Sequence, residues 1–375
     1  MLCSPFARSV LLAACALSAP ALLTAQDATK AAKTTWIEVS ELTMEGKAFA
    51  ETASPYDRLP AAAEKVVRAP VWSLSRDSTG ICARFMTDAT EILAEWTLNS
   101  SRLEMPHMPA TGVSGLDLYV RDDEGGWRWL GVGQPREQTN RATLASGIRP
   151  REDGKPREYL VYLPLYNGVK SVRIGVASDR QFTAAPARPA GREKPIVFYG
   201  TSITQGGCAS RPGMVHTAIL GRWFDRPVVN LGFSGNGRME TEVGQYMRDI
   251  DAAVFVIDCL PNITADQVSE RTQPLIRQIR ERHPETPILL VEDRDYSNSY
   301  LIDSKLKRNR SSQAALRKEF EALASTDKNL HYLRGPQLLG DDFEGTVDSS
   351  HPTDLGFWRQ AKEFQTALKP LLEAH

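Results

Sequence analysis

Four short stretches in the second half of the chain carry residues able to act together on a carbonyl carbon. The first is Gly200-Thr201-Ser202-Ile203-Thr204-Gln205-Gly206-Gly207. A serine at the end of a strand, leading into a loop and helix, can point its hydroxyl at a substrate while nearby backbone N–H groups face developing negative charge. On its own, a Gly-x-Ser loop reads as a turn or a helix cap. The second stretch, Asn230-Leu231-Gly232-Phe233-Ser234-Gly235-Asn236-Gly237, has glycines that let the backbone approach a ligand and free an N–H for donation; alone it is a glycine-rich turn. The third, Asp258-Cys259-Leu260-Pro261-Asn262, ends in an asparagine that either donates its side-chain amide into the same crevice or caps the next helix. Last comes Asp348-Ser349-Ser350-His351-Pro352, in which a carboxylate three residues before an imidazole can hold one ring nitrogen while the other faces the serine. Singly, such an Asp and His are surface loop residues. Together, in this order, the four blocks point to nucleophilic acyl chemistry with a serine, a base and an orienting acid.

Such residues must be brought together by the elements around them, and two periodicities divide the chain. From Trp36 to about Asp179 short alternating runs are broken by Gly, Pro, Asp and Asn, the period of a half-buried strand. Examples are 81–85, 92–98, 116–120, 127–132, 159–165 and 171–176. Many short strands without a long amphipathic helix predict a β-sandwich. The proline- and alanine-rich stretch 180–195 has the composition of a linker. Beyond it, apolar runs at 195–199, 228–231, 253–258 and 287–292 read as buried strands, alternating with helical patterns at 265–282, 313–324 and 354–372. Alternating strand and helix predicts a parallel sheet covered on both faces, with the site outside the carboxyl ends of its strands. Each of the first three blocks follows one of these predicted strands, and the fourth precedes the last helix.

In order and content the four blocks resemble the SGNH hydrolases, also called the GDSL esterase and lipase family, over roughly residues 194–375. The resemblance implies a three-layer, flavodoxin-like α/β domain. It implies Ser202 as nucleophile, Asp348 and His351 as its partners, and Ser202, Gly235 and Asn262 as donors to an oxyanion. It also implies ester hydrolysis with no metal or organic cofactor. Two departures stand out: Thr201 replaces the Asp of Gly-Asp-Ser, and the third block reads Asp-Cys-Leu-Pro-Asn in place of Gly-x-Asn-Asp. Gly115-Leu116-Asp117-Leu118-Tyr119 resembles a motif of the β-sandwich, jelly-roll-like domain that precedes one branch of these esterases. The expected organisation is therefore a signal peptide at 1–25, a β-sandwich at 26–185 and a hydrolase domain at 186–375.

Composition bounds the partners. Lys plus Arg number 45 against 46 Asp plus Glu, a balance that gives no overall field for nucleic acid or an anionic membrane. At the amino end, Arg8 is the only charge before an Ala- and Leu-rich run from Ser9 to Leu23, followed by Thr24-Ala25-Gln26. That pattern predicts export, to the periplasm or outside the cell, with cleavage after Ala25. Leu12-Ala13-Ala14-Cys15 offers the alternative of a lipid-anchored Cys15. No other segment has the length and apolarity of a membrane-spanning helix.

Cleavage would leave Cys82, Cys208 and Cys259, so at most one internal disulfide. Cys208 and Cys259 lie on loops expected near the site and read either as a pair or as two packed thiols. Arg238, Arg294 and His216 are candidates to meet substrate, with surface salt bridges or solvated positions as the plainer reading. His107, His283 and His331 carry no partner pattern and read as ordinary. Trp127 and Trp129 read as sandwich core, with stacking on sugar rings the alternative. The expected substrate is a small-molecule or polysaccharide ester, most naturally an acetylated carbohydrate. The rivals are a lipase, lysophospholipase or thioesterase of the same fold, a non-catalytic carbohydrate-binding protein, and an envelope acyltransferase.

Overall fold

The computed structural model describes residues 33–373. The predicted signal sequence and Cys15 lie outside them. Ten strands build the first half: β1 (Thr34–Glu38), β2 (Thr43–Glu45), β3 (Cys82–Thr87), β4 (Glu91–Leu98), β5 (Leu116–Arg121), β6 (Trp127–Gly133), β7 (Thr139–Ser146), β8 (Arg157–Tyr162), β9 (Val169–Ala177) and β10 (Phe182–Ala184). They form two antiparallel sheets, ordered β1-β9-β4-β7 and β10-β3-β8-β5-β6, with β2 added on β3. Along β4, every second residue (Ile92, Ala94, Trp96, Leu98) is buried, so this strand turns one apolar face inward as its alternation predicts. Two short helices, α1 (Ala69–Ser75) and α2 (Ala110–Val113), interrupt the strands.

The second half has five strands, β11 (Ile196–Gly200), β12 (Val228–Gly232), β13 (Val254–Asp258), β14 (Ile288–Val291) and β15 (Leu330–Leu333). All are parallel, in the order β12-β11-β13-β14-β15. This is the flavodoxin-like order, whose switch point lies at the first strand. Six helices accompany them: α3 (Ser202–Gln205), α4 (His216–Phe224), α5 (Thr241–Met247), α6 (Ala265–Arg280), α7 (Asp303–Ala324) and α8 (Asp354–Glu373). Ile196 and Phe198 pack with Ile219 of α4 and Phe364 of α8, whereas Val197 and Tyr199 face Val243 of α5 and Leu275 of α6. Buried on both faces, β11, β12, β13 and β14 read as apolar runs, whereas the edge strand β15 is only partly covered. No helix among the described residues is long and apolar enough to cross a membrane.

The stretch read as a linker is a strap. β10 pairs with β3, and the nearly buried Arg188 reaches Glu45 of the first half at 2.8 Å while also pairing with Asp225 of the second. Burial pulls the Arg188 charge down, but these carboxylates outweigh it and hold the guanidinium above its ordinary value. Arg226 donates its guanidinium N–H groups to the carbonyl oxygens of Gly191 and Lys194.

The three described cysteines are unpaired and buried, so the reading of Cys208 and Cys259 as a disulfide is corrected. The Cys259 thiol donates to the Tyr199 carbonyl at 3.5 Å inside the sheet's core. Cys208 sits on the loop after α3, where burial, helped by the charge of Asp348, pushes its thiol up to about 12. Each thiol thus has its own packed environment and behaves as a small apolar group.

The halves are locked together by Arg58, whose side chain is buried. Its guanidinium donates to the carbonyls of Leu74 (2.6 Å) and Asp77 (2.9 Å) in its own half, and to those of Asn230 (3.0 Å) and Gly232 (2.7 Å) in β12. Burial lowers its pKa to about 10, still well above neutrality. Arg58→Ala would take a charged donor away from four carbonyls, and we expect it to cost on the order of 3 kcal/mol or more, read as a lower urea midpoint. Arg58→Lys should recover little, because an ammonium cannot reproduce the planar fork of donors.

Candidate active site

Ser202 opens α3 directly after β11, the strand at the switch point of the sheet. Thr201 caps the helix, its hydroxyl accepting the Ile203 N–H at 3.3 Å. This explains how Thr stands where the family motif has Asp, since either side chain can take an N-cap bond. The Ser202 hydroxyl lies 2.7 Å from Nε2 of His351. On the other side of that ring, Nδ1 lies 2.7 Å from Oδ2 of Asp348. The loop that presents these two residues is folded on itself. Asp348 Oδ1 accepts the backbone N–H groups of Ser350 (3.0 Å) and His351 (2.8 Å), and Val347 N donates to the His351 carbonyl at 2.9 Å. Burial alone would raise the Asp348 carboxyl. The N–H and ring of His351 and the N–H of Ser350 outweigh it, keeping the group below its ordinary value and ionised.

Gly235 and Asn262 converge on one turn. Asn236 and Gly237 both donate to the Phe233 carbonyl at 2.8 Å, leaving Gly235 at the tip with φ +68°. A side chain at Gly235 would meet open space, so glycine is needed there for its backbone conformation alone. With its amide turned to satisfy its neighbours, the Asn262 oxygen accepts the N–H of Asn236 (3.1 Å) and Gly237 (3.3 Å), which leaves the amide nitrogen directed to the opposite side. Arg308 on α7 holds the Asn262 turn from behind, donating to the carbonyls of Leu260 (3.0 Å), Pro261 (2.8 Å) and Ile263 (3.2 Å).

The first half reaches into the site at several points. Tyr166 donates its hydroxyl to the Ser202 carbonyl at 3.0 Å. At Gly207 a Cβ would lie 2.9 Å from the Tyr166 hydroxyl and 3.2 Å from the His351 ring, so a side chain here would press on both. Gln205 accepts the Ser234 N–H at 2.9 Å and donates to Asp77 at 2.9 Å, tying α3 to the Gly235 turn and to the first half. Arg68 donates to the Asn236 side chain at 2.7 Å and pairs with Glu240. The Gly115–Tyr119 motif has a matching role. Asp117, fully buried, accepts from Gly213 N (2.7 Å), Arg211 (2.8 Å) and the Trp129 indole (2.9 Å). Arg211 also bonds the Tyr119 hydroxyl at 2.6 Å. The motif thereby anchors the loop that follows Ser202.

The remaining sequence candidates fall differently. Arg294 is not a substrate contact: it is buried, pairs with Asp258 at 2.8 Å and donates to Gln360 at 2.8 Å. Two opposite charges and the Gln360 side-chain oxygen satisfy one another there. Arg238 stays beside the site, half-buried, and braces the Gly235 carbonyl at 3.0 Å. His216 is neither exposed nor salt-bridged. It is buried and stacked on the rings of Phe357 and Phe364, where burial lowers its pKa well below the usual imidazole range. Trp127 and Trp129 are not sandwich core. Trp129 is 49% exposed, and Trp127 lies half-buried with Arg121 over its ring. His107, read as ordinary, lies with its ring centre 6.0 Å from that of His351. Tyr166, Arg68 and His107 carry no local sequence signal, because their positions depend on how the halves dock.

Residues 34–182 match the model described as the N-terminus of Esterase_SGNH_hydro-type, and residues 193–369 match that of the GDSL-like Lipase/Acylhydrolase family. No curated protein matches the chain. Among solved structures, a protein from Bacteroides ovatus ATCC 8483 described as a GDSL-like lipase has a TM-score of 0.85 and 34% identity, covering 91% of this chain and 98% of its own. The salicylyl-acyltransferase SsfX3 of a tetracycline biosynthetic pathway is similar at a TM-score of 0.72 and 17% identity, over 90% of this chain and 97% of its own. A family two carbohydrate esterase from Cellvibrio japonicus is similar at a TM-score of 0.57 and 12% identity, over 91% and 99%. These last two likenesses establish a shared fold. The Bacteroides ovatus relative, matched at this identity along nearly its whole length, carries more: the chain belongs to the GDSL-like lipase/acylhydrolase family of SGNH-type esterases.

Proposed function

We propose that the protein is an exported serine esterase that removes acetyl groups from carbohydrate. The observation that carries the chemistry is the continuous relay from the Ser202 hydroxyl through His351 to Asp348, each contact 2.7 Å long. In the reaction, His351 Nε2 takes the hydroxyl proton as Ser202 Oγ attacks the ester carbonyl, and Asp348 favours the imidazolium that forms. Negative charge on the carbonyl oxygen is met by the N–H groups of Ser202 and Gly235 and by the Asn262 amide. His351 then gives its proton to the departing alcohol, leaving an acyl-enzyme. Water, deprotonated by the same imidazole, releases the acid and restores the serine.

Two observations support a large, hydroxylated substrate. The side chains of Asp348 and His351 are 44% and 26% exposed, so the relay opens to solvent and is accessible to an ester carried on a polymer. The carbohydrate esterases that share the fold act on that class of molecule. Export rests on the amino-terminal pattern of Arg8 and the apolar run that follows it.

Acetate release from acetylated xylan and pectin, set beside p-nitrophenyl esters of rising chain length, tests the substrate class; a preference for long acyl chains would replace it with a lipase reading. Excess acceptor alcohol in the same assay separates hydrolysis from transfer. Ser202→Ala should lower kcat by at least roughly a thousandfold, and Asn262→Ala by on the order of a hundredfold. Wild-type turnover by Ser202→Ala would overturn the mechanism. The depressed pKa of Asp348 means that its charge favours the folded state above about pH 4 and stops doing so as pH falls through the folded value. Asp348→Asn should therefore reduce the fall in Tm between about pH 6 and pH 3.

A further inference from the structure

His107 belongs to the first half, yet its imidazole stands beside that of His351, with ring centres 6.0 Å apart and planes inclined by 52°. It is held there firmly. Met105 and Met108 exchange two backbone hydrogen bonds of 3.0 Å, closing a tight turn whose tip is Pro106-His107. Proline fixes one dihedral of that tip. Met108, next along the chain, is 2% exposed and packs in one cluster with Ile203, Val215 and Phe357 of the second half. The turn is thus planted against the residue that follows Ser202. The His107 side chain is exposed and has no hydrogen-bond partner among the described residues.

The chemistry of the relay assigns a direction to this neighbour. For His351 to protonate the departing alkoxide, the leaving oxygen must come within hydrogen-bond reach of Nε2. The carbonyl oxygen must meanwhile face the Gly235 turn and Asn262, and Nδ1 is covered by Asp348. What projects past the open side of the His351 ring is therefore the alcohol portion of the ester. An imidazole there offers one donor and one acceptor, a match for hydroxyl groups and of no use to an alkyl chain. We propose that His107 is a substrate-contact residue that hydrogen-bonds hydroxyls on the alcohol portion, so that the first half selects esters of sugars and polyols over esters of simple alcohols. This inference rests on the relay reading above.

The test compares two esters of the same acid, glycerol monoacetate, whose alcohol keeps free hydroxyls, and ethyl acetate, whose alcohol has none. Wild type should prefer glycerol monoacetate in kcat/KM. His107→Ala should lower that preference about tenfold, the loss of one hydrogen bond, mainly through a raised KM for glycerol monoacetate. His107→Gln, which keeps a donor and an acceptor, should restore part of it. Equal effects on both esters, no effect on either, or no wild-type preference would overturn the proposal. Ser202→Ala separates the two readings: loss of both activities upholds the relay whatever His107 does, while its retention sinks the relay and the inference together.

Discussion

A guanidinium without access to water and bonded to backbone carbonyls on both sides of an interface sets the geometry of this molecule. Arg58 can be buried only because four carbonyl oxygens are presented to it at once, one from the last turn of α1, one from the residues just after it, and two from β12. Asn230 lies midway along that strand and Gly232 ends it, immediately before the turn that carries Gly235. A charge that must be satisfied so completely tolerates little displacement, since leaving any of its partners would expose buried polar groups without compensation. The register between the sandwich and the parallel sheet is thereby fixed at the edge of the site.

Around that lock the first half acts as the outer shell of the chemistry. Tyr166 holds the Ser202 carbonyl, Arg68 holds Asn236, and Asp117 with Tyr119 holds Arg211 and Gly213. Gln205 connects α3, the helix that Ser202 opens, to the Gly235 turn. The groups that would meet the reacting atoms come from the second half, and many of the bonds that set their positions come from the first. A site of this kind depends on outer-shell placement as much as on its reactive side chains, because donors must already point at the developing charge.

Much of this was legible in the sequence because it is local. Apolar runs such as Ile196–Tyr199 announce strands covered on both faces, and Val268, Leu275, Ile276 and Ile279 mark the buried face of α6. The family blocks could be read because their residue types are unusual in combination. The amino-terminal part of α7 was missed for a physical reason: its buried face is polar, with Asn309 and Gln313 bonded to the 293–295 segment and the buried Ser312 bonded to carbonyls of its own helix, so no apolar period marks it. Strand β7 was missed because its sequence, Thr139 to Ser146, buries only Asn140 and Leu144. Arg294 misled because an arginine paired in the core and one on the surface look alike without the partner, here Asp258, 36 residues away. His107, Tyr166 and Arg68 acquire their positions only when two distant stretches meet.

Leu59, Ala63 and Val67, with Val71 of α1, lie in the same apolar cluster as Val197, Tyr199 and Phe233 of the second half. A continuous oily layer shared in this way has no seam along which recombination could exchange one module for another. Shuffling the Ser202-bearing half onto a foreign partner would bare that layer to water and bring aggregation before any new specificity could be selected. Lineages carrying this architecture are therefore expected to inherit both halves as a single piece and to diversify through point changes in the loops that meet above the serine.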